Sequence, residues 1–132
     1  MDKTQCSKKR VLVLDDDLAV LEVIEQSLVY ENFDVRTEGR SYNLLKTIED
    51  YRPDIILLDF LLDGINGGEF CHQVKSNAST KHIPVIIISG FPRVFLSLGS
   101  YGCDDFLAKP FSLSELMKSI NNCLMLNTLC HG

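Results

Sequence analysis

The stretch Asp54-Ile55-Ile56-Leu57-Leu58-Asp59 decides how this chain folds. Four consecutive aliphatic residues, two of them β-branched, form a strand too short for a helix and too apolar for a surface strand. Such a run is buried on both faces, as in the centre of a parallel sheet covered by helices. Two further runs share this character, Val11 to Leu14 upstream and Pro84 to Ile88 downstream. Two weaker ones, Asp34 to Thr37 and Asp105 to Ala108, are interrupted by polar residues and suit the sheet edges.

Between the runs lie stretches of helical periodicity near Leu18 to Glu31, Ser41 to Tyr51, Gly67 to Ser76, Phe91 to Leu98 and Leu113 to Leu126. The last is marked by a capping box, Ser112 with Glu115, followed by Leu113, Leu116, Met117, Ile120 and Leu124 at helical spacing. Strand and helix therefore alternate five times. This predicts an α/β fold, a flavodoxin-like doubly wound five-stranded parallel sheet with five helices, compatible with strand order 2-1-3-4-5.

At 132 residues the chain has room for one such domain, with a core from about residue 9 to 126. Hydrophobic residues make up 45% of it and charged residues 23%, which provides a core and gives no case for disorder. Thirteen basic against eighteen acidic residues leave a net charge of −5, which argues against a sequence-independent grip on nucleic acid. Lys8, Lys9 and Arg10 read as a solvated approach to the first strand. The five cysteines are odd in number and form no C-x-x-C pair, so free thiols in a reducing cytosol are expected rather than disulfides or zinc. Cys123, Cys130 and His131 lie on or after the last helix, which disfavours them as a metal set. Apolar runs are broken well short of the roughly 18 residues a membrane span requires.

In open α/β sheets ligands bind beyond the carboxyl ends of the strands. Strand one is followed by Asp15, Asp16 and Asp17, strand three by Asp59, strand four by Ser89, and strand five by Lys109, Pro110 and Phe111. With strands about 4.8 Å apart, the acid pair Asp15–Asp16, Asp59 and Ser89 stand side by side, and Lys109 has a gap of roughly 10 Å to cross with a long stem. Gathered carboxylates repel one another, and a hard divalent cation relieves that repulsion; an open acidic cluster suits Mg²⁺. One carboxylate oxygen then attacks phosphorus while Ser89 and Lys109 hold the phosphoryl oxygens. Taken singly, each residue has a plainer role: Asp17 a helix cap, Ser89 a turn residue, Lys109 a solvated lysine.

Four segments in this order, Val-Leu-Val-Leu-Asp-Asp-Asp, Asp-Ile-Ile-Leu-Leu-Asp, Pro-Val-Ile-Ile-Ile-Ser-Gly and Asp-Asp-Phe-Leu-Ala-Lys-Pro-Phe, resemble the response regulator receiver domain of bacterial two-component systems, chemotaxis-regulator-like, from Lys9 to about Leu126. The resemblance implies a cytoplasmic signalling switch, not a conventional enzyme, in which Asp59 takes a phosphoryl group from a phosphohistidine on a histidine kinase or phosphotransfer protein. It further implies that Asp16, Asp59 and the Leu61 carbonyl ligate Mg²⁺, with Asp15 supporting the metal mainly through water. Ser89 turns toward the phosphoryl group, Lys109 pairs with it, and Phe106 stands as the switch aromatic. A cis Lys109–Pro110 bond is admitted, which an X-Pro linkage tolerates.

The same resemblance places the docking surface for a downstream protein target on the fourth helix, fifth strand and fifth helix. It implies a monomer or weak homodimer, with no nucleic acid or membrane partner for this domain. A phosphorylation-independent docking module and a receiver excised from a larger regulator or hybrid kinase stay open beside it. A phosphatase working through an aspartyl-phosphate is disfavoured because Leu61 stands where such enzymes carry a second Asp.

The sequence departs from the family at several points. Asp63 stands where proline is common, followed by Gly64, which puts the rigidity of that loop in doubt. Ser89 replaces threonine and keeps the hydroxyl, and Phe91 is bulky enough to shield the site from water. The Ser89 to Lys109 stretch is about two residues short, and with Phe91-Pro92, Gly99 and Gly102 it predicts a short or mobile fourth helix.

Overall fold

The computed structural model describes residues 8–39, 43–62, 65–90 and 103–131. Five strands form one parallel sheet: β1 Arg10–Leu14, β2 Asp34–Glu38, β3 Ile55–Asp59, β4 Val85–Ser89 and β5 Asp105–Ala108. Their spatial order is β2-β1-β3-β4-β5, as the sequence pattern anticipates. The strands with unbroken apolar runs, β1 from Val11 to Leu14, β3 from Ile55 to Leu58 and β4 from Val85 to Ile88, are interior, and β2 and β5, which carry polar residues in shorter or interrupted runs, occupy the edges, because only an interior strand is covered by helices on both faces.

Alternation of side chains divides the core into two layers. Leu12, Leu14, Ile56, Leu58, Val85 and Ile87 face α2 (Leu44–Tyr51) and α3 (Gly67–Ser76), packing with Leu44, Ile48, Phe70, Cys71 and Val74. Val11, Val13, Ile55, Leu57, Ile86 and Ile88 face α1 (Leu18–Tyr30) and the C-terminal helix (Leu113–His131), packing with Leu21, Ile24, Leu28, Leu116, Ile120 and Cys123. Burying each aliphatic side chain contributes about 1.5–3 kcal/mol, so both layers are needed to hold the sheet.

Local signals set the helix ends: α1 and the C-terminal helix start where the sequence places them, while α2, expected from Ser41, starts at Leu44 behind Asn43, whose side chain accepts the Lys46 N–H at 3.1 Å. Asp17 caps α1, accepting from the Ala19 and Val20 N–H groups at 3.0 and 3.3 Å. At its other end Asn32 adopts a positive φ of 73°, a conformation asparagine tolerates, and the Phe33 N–H returns to the Leu28 carbonyl. Ser112 and Glu115 form the reciprocal box at 2.8 and 3.1 Å. The C-terminal helix continues to His131, past the expected limit at Leu126, since no glycine or proline interrupts it before Gly132.

The fourth expected helix, Phe91 to Leu98, lies outside the described residues, as do Asp63 and Gly64. One element was not anticipated: Leu61–Leu62 pairs antiparallel with Ile65–Asn66 in a small ladder between β3 and α3. Among the described residues no helix is long and apolar enough to cross a membrane, and Cys71, Cys103 and Cys123 are free thiols.

Candidate functional site

Parallel strands bring their carboxyl ends to one edge of the sheet. Asp15 follows β1, Asp59 closes β3, Ser89 closes β4, and Lys109 follows β5. Registry sets them close together: Asp59 stands beside Ile88, and Ser89 beside Ala108. The Lys109 N–H donates to the Ser89 carbonyl at 2.8 Å, and the Lys109–Pro110 bond is cis.

Carboxylate oxygens of Asp15, Asp16 and Asp59 lie within 4.8 Å of one another. Asp15 is buried, Asp16 is exposed, and Asp59 retains 8% of its surface, so the cluster opens to solvent on one side. Lys109 spans the gap from the edge strand: its Nζ stands 2.8 Å from Asp15 Oδ2 and 3.2 Å from Asp59 Oδ1. The other oxygen of Asp15 accepts the Asp17 N–H at 2.9 Å. Both oxygens of Asp15 are thus engaged by the protein, which fits an indirect part for Asp15.

Burial pushes the Asp59 carboxyl above its ordinary value, and the charge of Asp15 adds to this, against the opposing pull of the Lys109 ammonium. For Lys109, burial alone would lower the value, but its hydrogen bond to Asp15 and the charges of Asp15 and Asp59 outweigh that and raise it. Lysine therefore stays charged while Asp59 remains under-compensated. Three carboxylates against one ammonium leave an excess of two negative charges on oxygen donors, a set that suits a hard divalent cation.

Ser89 is buried (2% exposed) at the end of β4, and Phe106 is half-buried on β5 against the layer that holds Phe60 and Phe70. The backbone of Leu61 opens the antiparallel ladder two residues after Asp59. Asp15, Asp16, Asp59, Leu61, Ser89, Phe106 and Lys109 therefore lie at or just beyond the carboxyl ends of the strands or on β5 next to them, while Asp63 and Phe91 lie outside the described residues. Two features escaped sequence reasoning. One is the Lys109–Asp15 contact. The other is an apolar groove of about 480 Å³ lined by Ala19, Val20, Val23, Ile24, Pro110, Phe111 and the stem of Lys109. The apolar residues at the start of α1 were a signal for this groove, but periodicity assigns them to packing.

Comparison with known proteins agrees with this geometry. A family model described as response regulator receiver domain matches residues 11–121. Response regulator ArlR of Staphylococcus saprophyticus is 34% identical over 113 residues, covering 84% of this chain and 50% of that protein. DNA-binding response regulator MtrA of Mycobacterium tuberculosis is 32% identical over 113 residues, covering 86% of this chain and 49% of that protein. The chain thus spans about half the length of these relatives. Among solved structures, a CheY-like response regulator receiver domain protein from Methanospirillum hungatei superposes with a TM-score of 0.81 at 26% identity, covering 92% of this chain and 98% of the other.

Proposed function

The chain belongs to the response regulator receiver domain family, and from this premise we propose that it is a phosphorylation-dependent signalling switch with Asp59 as phosphoacceptor. The observation that carries the reading is the convergence of Asp15, Asp16, Asp59 and Lys109 at one open edge of the sheet. A carboxylate oxygen of Asp59 attacks the phosphorus of a phosphohistidine on a histidine kinase or phosphotransfer protein. The new O–P bond forms as the P–N bond breaks, and the imidazole leaves with the bonding pair and takes a proton from solvent.

The residues that would hold Mg²⁺ are Asp16, Asp59 and the Leu61 carbonyl, with Asp15 acting through water and through Lys109. When bound, the ion supplies charge neutralisation on the phosphoryl oxygens. Lys109 already bridges Asp15 and Asp59, and a phosphoryl group on Asp59 offers its ammonium a stronger acceptor. The Ser89 hydroxyl closes on another phosphoryl oxygen. That movement frees space for Phe106 on the neighbouring strand and remodels the surface around β5 and the C-terminal helix, where a target protein docks.

As a unit, residues 1–132 act as a single receiver, cytoplasmic, without turnover of a substrate and without nucleic-acid or membrane binding of its own. The acidic balance of the chain supports the last point, since a net charge of −5 disfavours a non-specific grip on nucleic acid or on an anionic membrane. It works as a monomer or weak homodimer. Incubation with Mg²⁺ and acetyl phosphate is expected to add the mass of one phosphoryl group, and Asp59→Asn to abolish the addition. Unchanged labelling of that variant would overturn the assignment.

A further inference from the structure

The ladder between β3 and α3 points to a device that sets the direction of the Leu61 carbonyl. Leu61 pairs with Asn66 and Leu62 with Ile65, with two residues between them, Asp63 and Gly64. Asp-Gly is the dipeptide type that best suits a two-residue hairpin connection. In such a hairpin the pair flanking the connection exchanges both backbone hydrogen bonds, and the next pair exchanges none, because the two kinds alternate along an antiparallel ladder.

We infer that the Leu62 N–H is held by the Ile65 carbonyl and that this bond aims the Leu61 carbonyl away from the ladder, as a fixed oxygen ligand for the divalent cation at Asp16 and Asp59. The step from one group to the other is peptide geometry. The Leu61 carbonyl and the Leu62 N–H belong to one planar trans unit and point in opposite directions, so fixing the N–H fixes the oxygen. The preceding residue is fixed as well: Phe60 is 1% exposed, and its N–H donates to the Ile88 carbonyl at 2.8 Å. On the far side Ile65–Asn66 runs directly into α3 at Gly67. The oxygen is thus clamped between a buried aromatic and a ladder bond. Leu62 and Ile65 act here as positioning residues through their backbone.

This inference rests on the metal-binding reading above, and the test separates the two. The full chain carries ¹³C at the Leu61 carbonyl and at the Asp59 carboxylate and is titrated with Mg²⁺ by NMR. A second preparation has the Ile65–Asn66 amide replaced by an ester, which weakens the Ile65 carbonyl as acceptor for the Leu62 N–H and leaves the Leu61–Leu62 amide intact; Ile65→Pro and Ile65→Val serve as a genetic pair in which only the first loses the companion bond of that pair, from the Ile65 N–H to the Leu62 carbonyl. Expected are Mg²⁺-dependent shifts at both labels in the native chain, and a weakening of Mg²⁺ affinity of about tenfold or more in the ester and in Ile65→Pro, with Ile65→Val unchanged. Native affinity in a folded ester, or a shift at Asp59 without one at Leu61, would overturn the inference and leave the metal site standing. Absence of Mg²⁺ shifts at both labels would overturn both.

Discussion

Replacing Lys109 by methionine keeps the stem in the apolar groove and removes the ammonium. Asp15 and Asp59, with side chains 2% and 12% exposed, then face each other without the cation that stands 2.8 and 3.2 Å away. Removing one partner of a buried ion pair costs about 3–5 kcal/mol. Here the site opens on one side, Lys109 itself is 26% exposed, and one carboxylate can take up a proton, so we expect about 2–3 kcal/mol at neutral pH. With a urea slope of about 1–3 kcal/mol per molar, the midpoint falls by roughly 0.7–3 M.

The pH dependence has a definite sign. Asp59 is already raised in the fold, and loss of Lys109 removes the groups that pull it down. A raised folded value means stability is present at acid pH and lost as pH rises through it, so the deficit of Lys109→Met must shrink on acidification. Excess Mg²⁺ should restore much of the loss, since a ligand at a hundred times its Kd adds about 2.7 kcal/mol. The chain has no tryptophan, so far-UV circular dichroism in EDTA and in Mg²⁺ is the assay. A variant as stable as the native chain in EDTA, or a deficit that grows as pH falls, would refute the reasoning.

Four further outcomes follow from the same structure. In EDTA, Asp59→Asn should be more stable than the native chain at pH 7 and lose that advantage as pH falls and the native carboxyl protonates, checked by urea unfolding across the acid range. Burial pushes the Cys71 thiol up to about 12, so at pH 8 it should react with a disulfide reagent roughly a thousandfold more slowly than an ordinary thiol of value about 8.5. Cys123, buried and pushed up to about 11, adds to the same effect, and stability should fall above about pH 9 by about 1.4 kcal/mol per pH unit for each of these two thiols. Ser112→Ala removes the oxygen that accepts the Glu115 N–H and should cost about 1 kcal/mol in thermal or urea unfolding.

Much of the fold was legible because burial leaves a local trace. Val11 to Leu14, Ile55 to Leu58 and Val85 to Ile88 carry an apolar residue at every position only if helices cover both faces, and that alone places them inside the sheet. Asp17, Ser112 and Glu115 announced helix starts by chemistry confined to three or four residues. The positions of Asp15, Asp16, Asp59, Ser89 and Lys109 were legible because parallel topology sends every strand end to one edge.

What was not legible is partner choice at long range. A lysine after β5 can reach several acids, and no local pattern says that Asp15 receives the shorter contact. The Leu61–Asn66 ladder is a different case. Leu-Leu-Asp-Gly-Ile-Asn carries a hairpin signal, but two-residue strands are too short for periodicity to register, and the departure from proline drew the reading toward a loose loop.

The central claim is that the acid at the end of β3 becomes phosphorylated, as an acyl phosphate. The direct measurement is reductive trapping: the chain is phosphorylated with Mg²⁺ and acetyl phosphate, treated with borohydride, digested, and sequenced by mass spectrometry. Conversion of Asp59 to homoserine, and of no other acid, is the result expected. Homoserine at Asp15 or Asp16, or phosphate recovered on a residue away from this edge, would contradict the account.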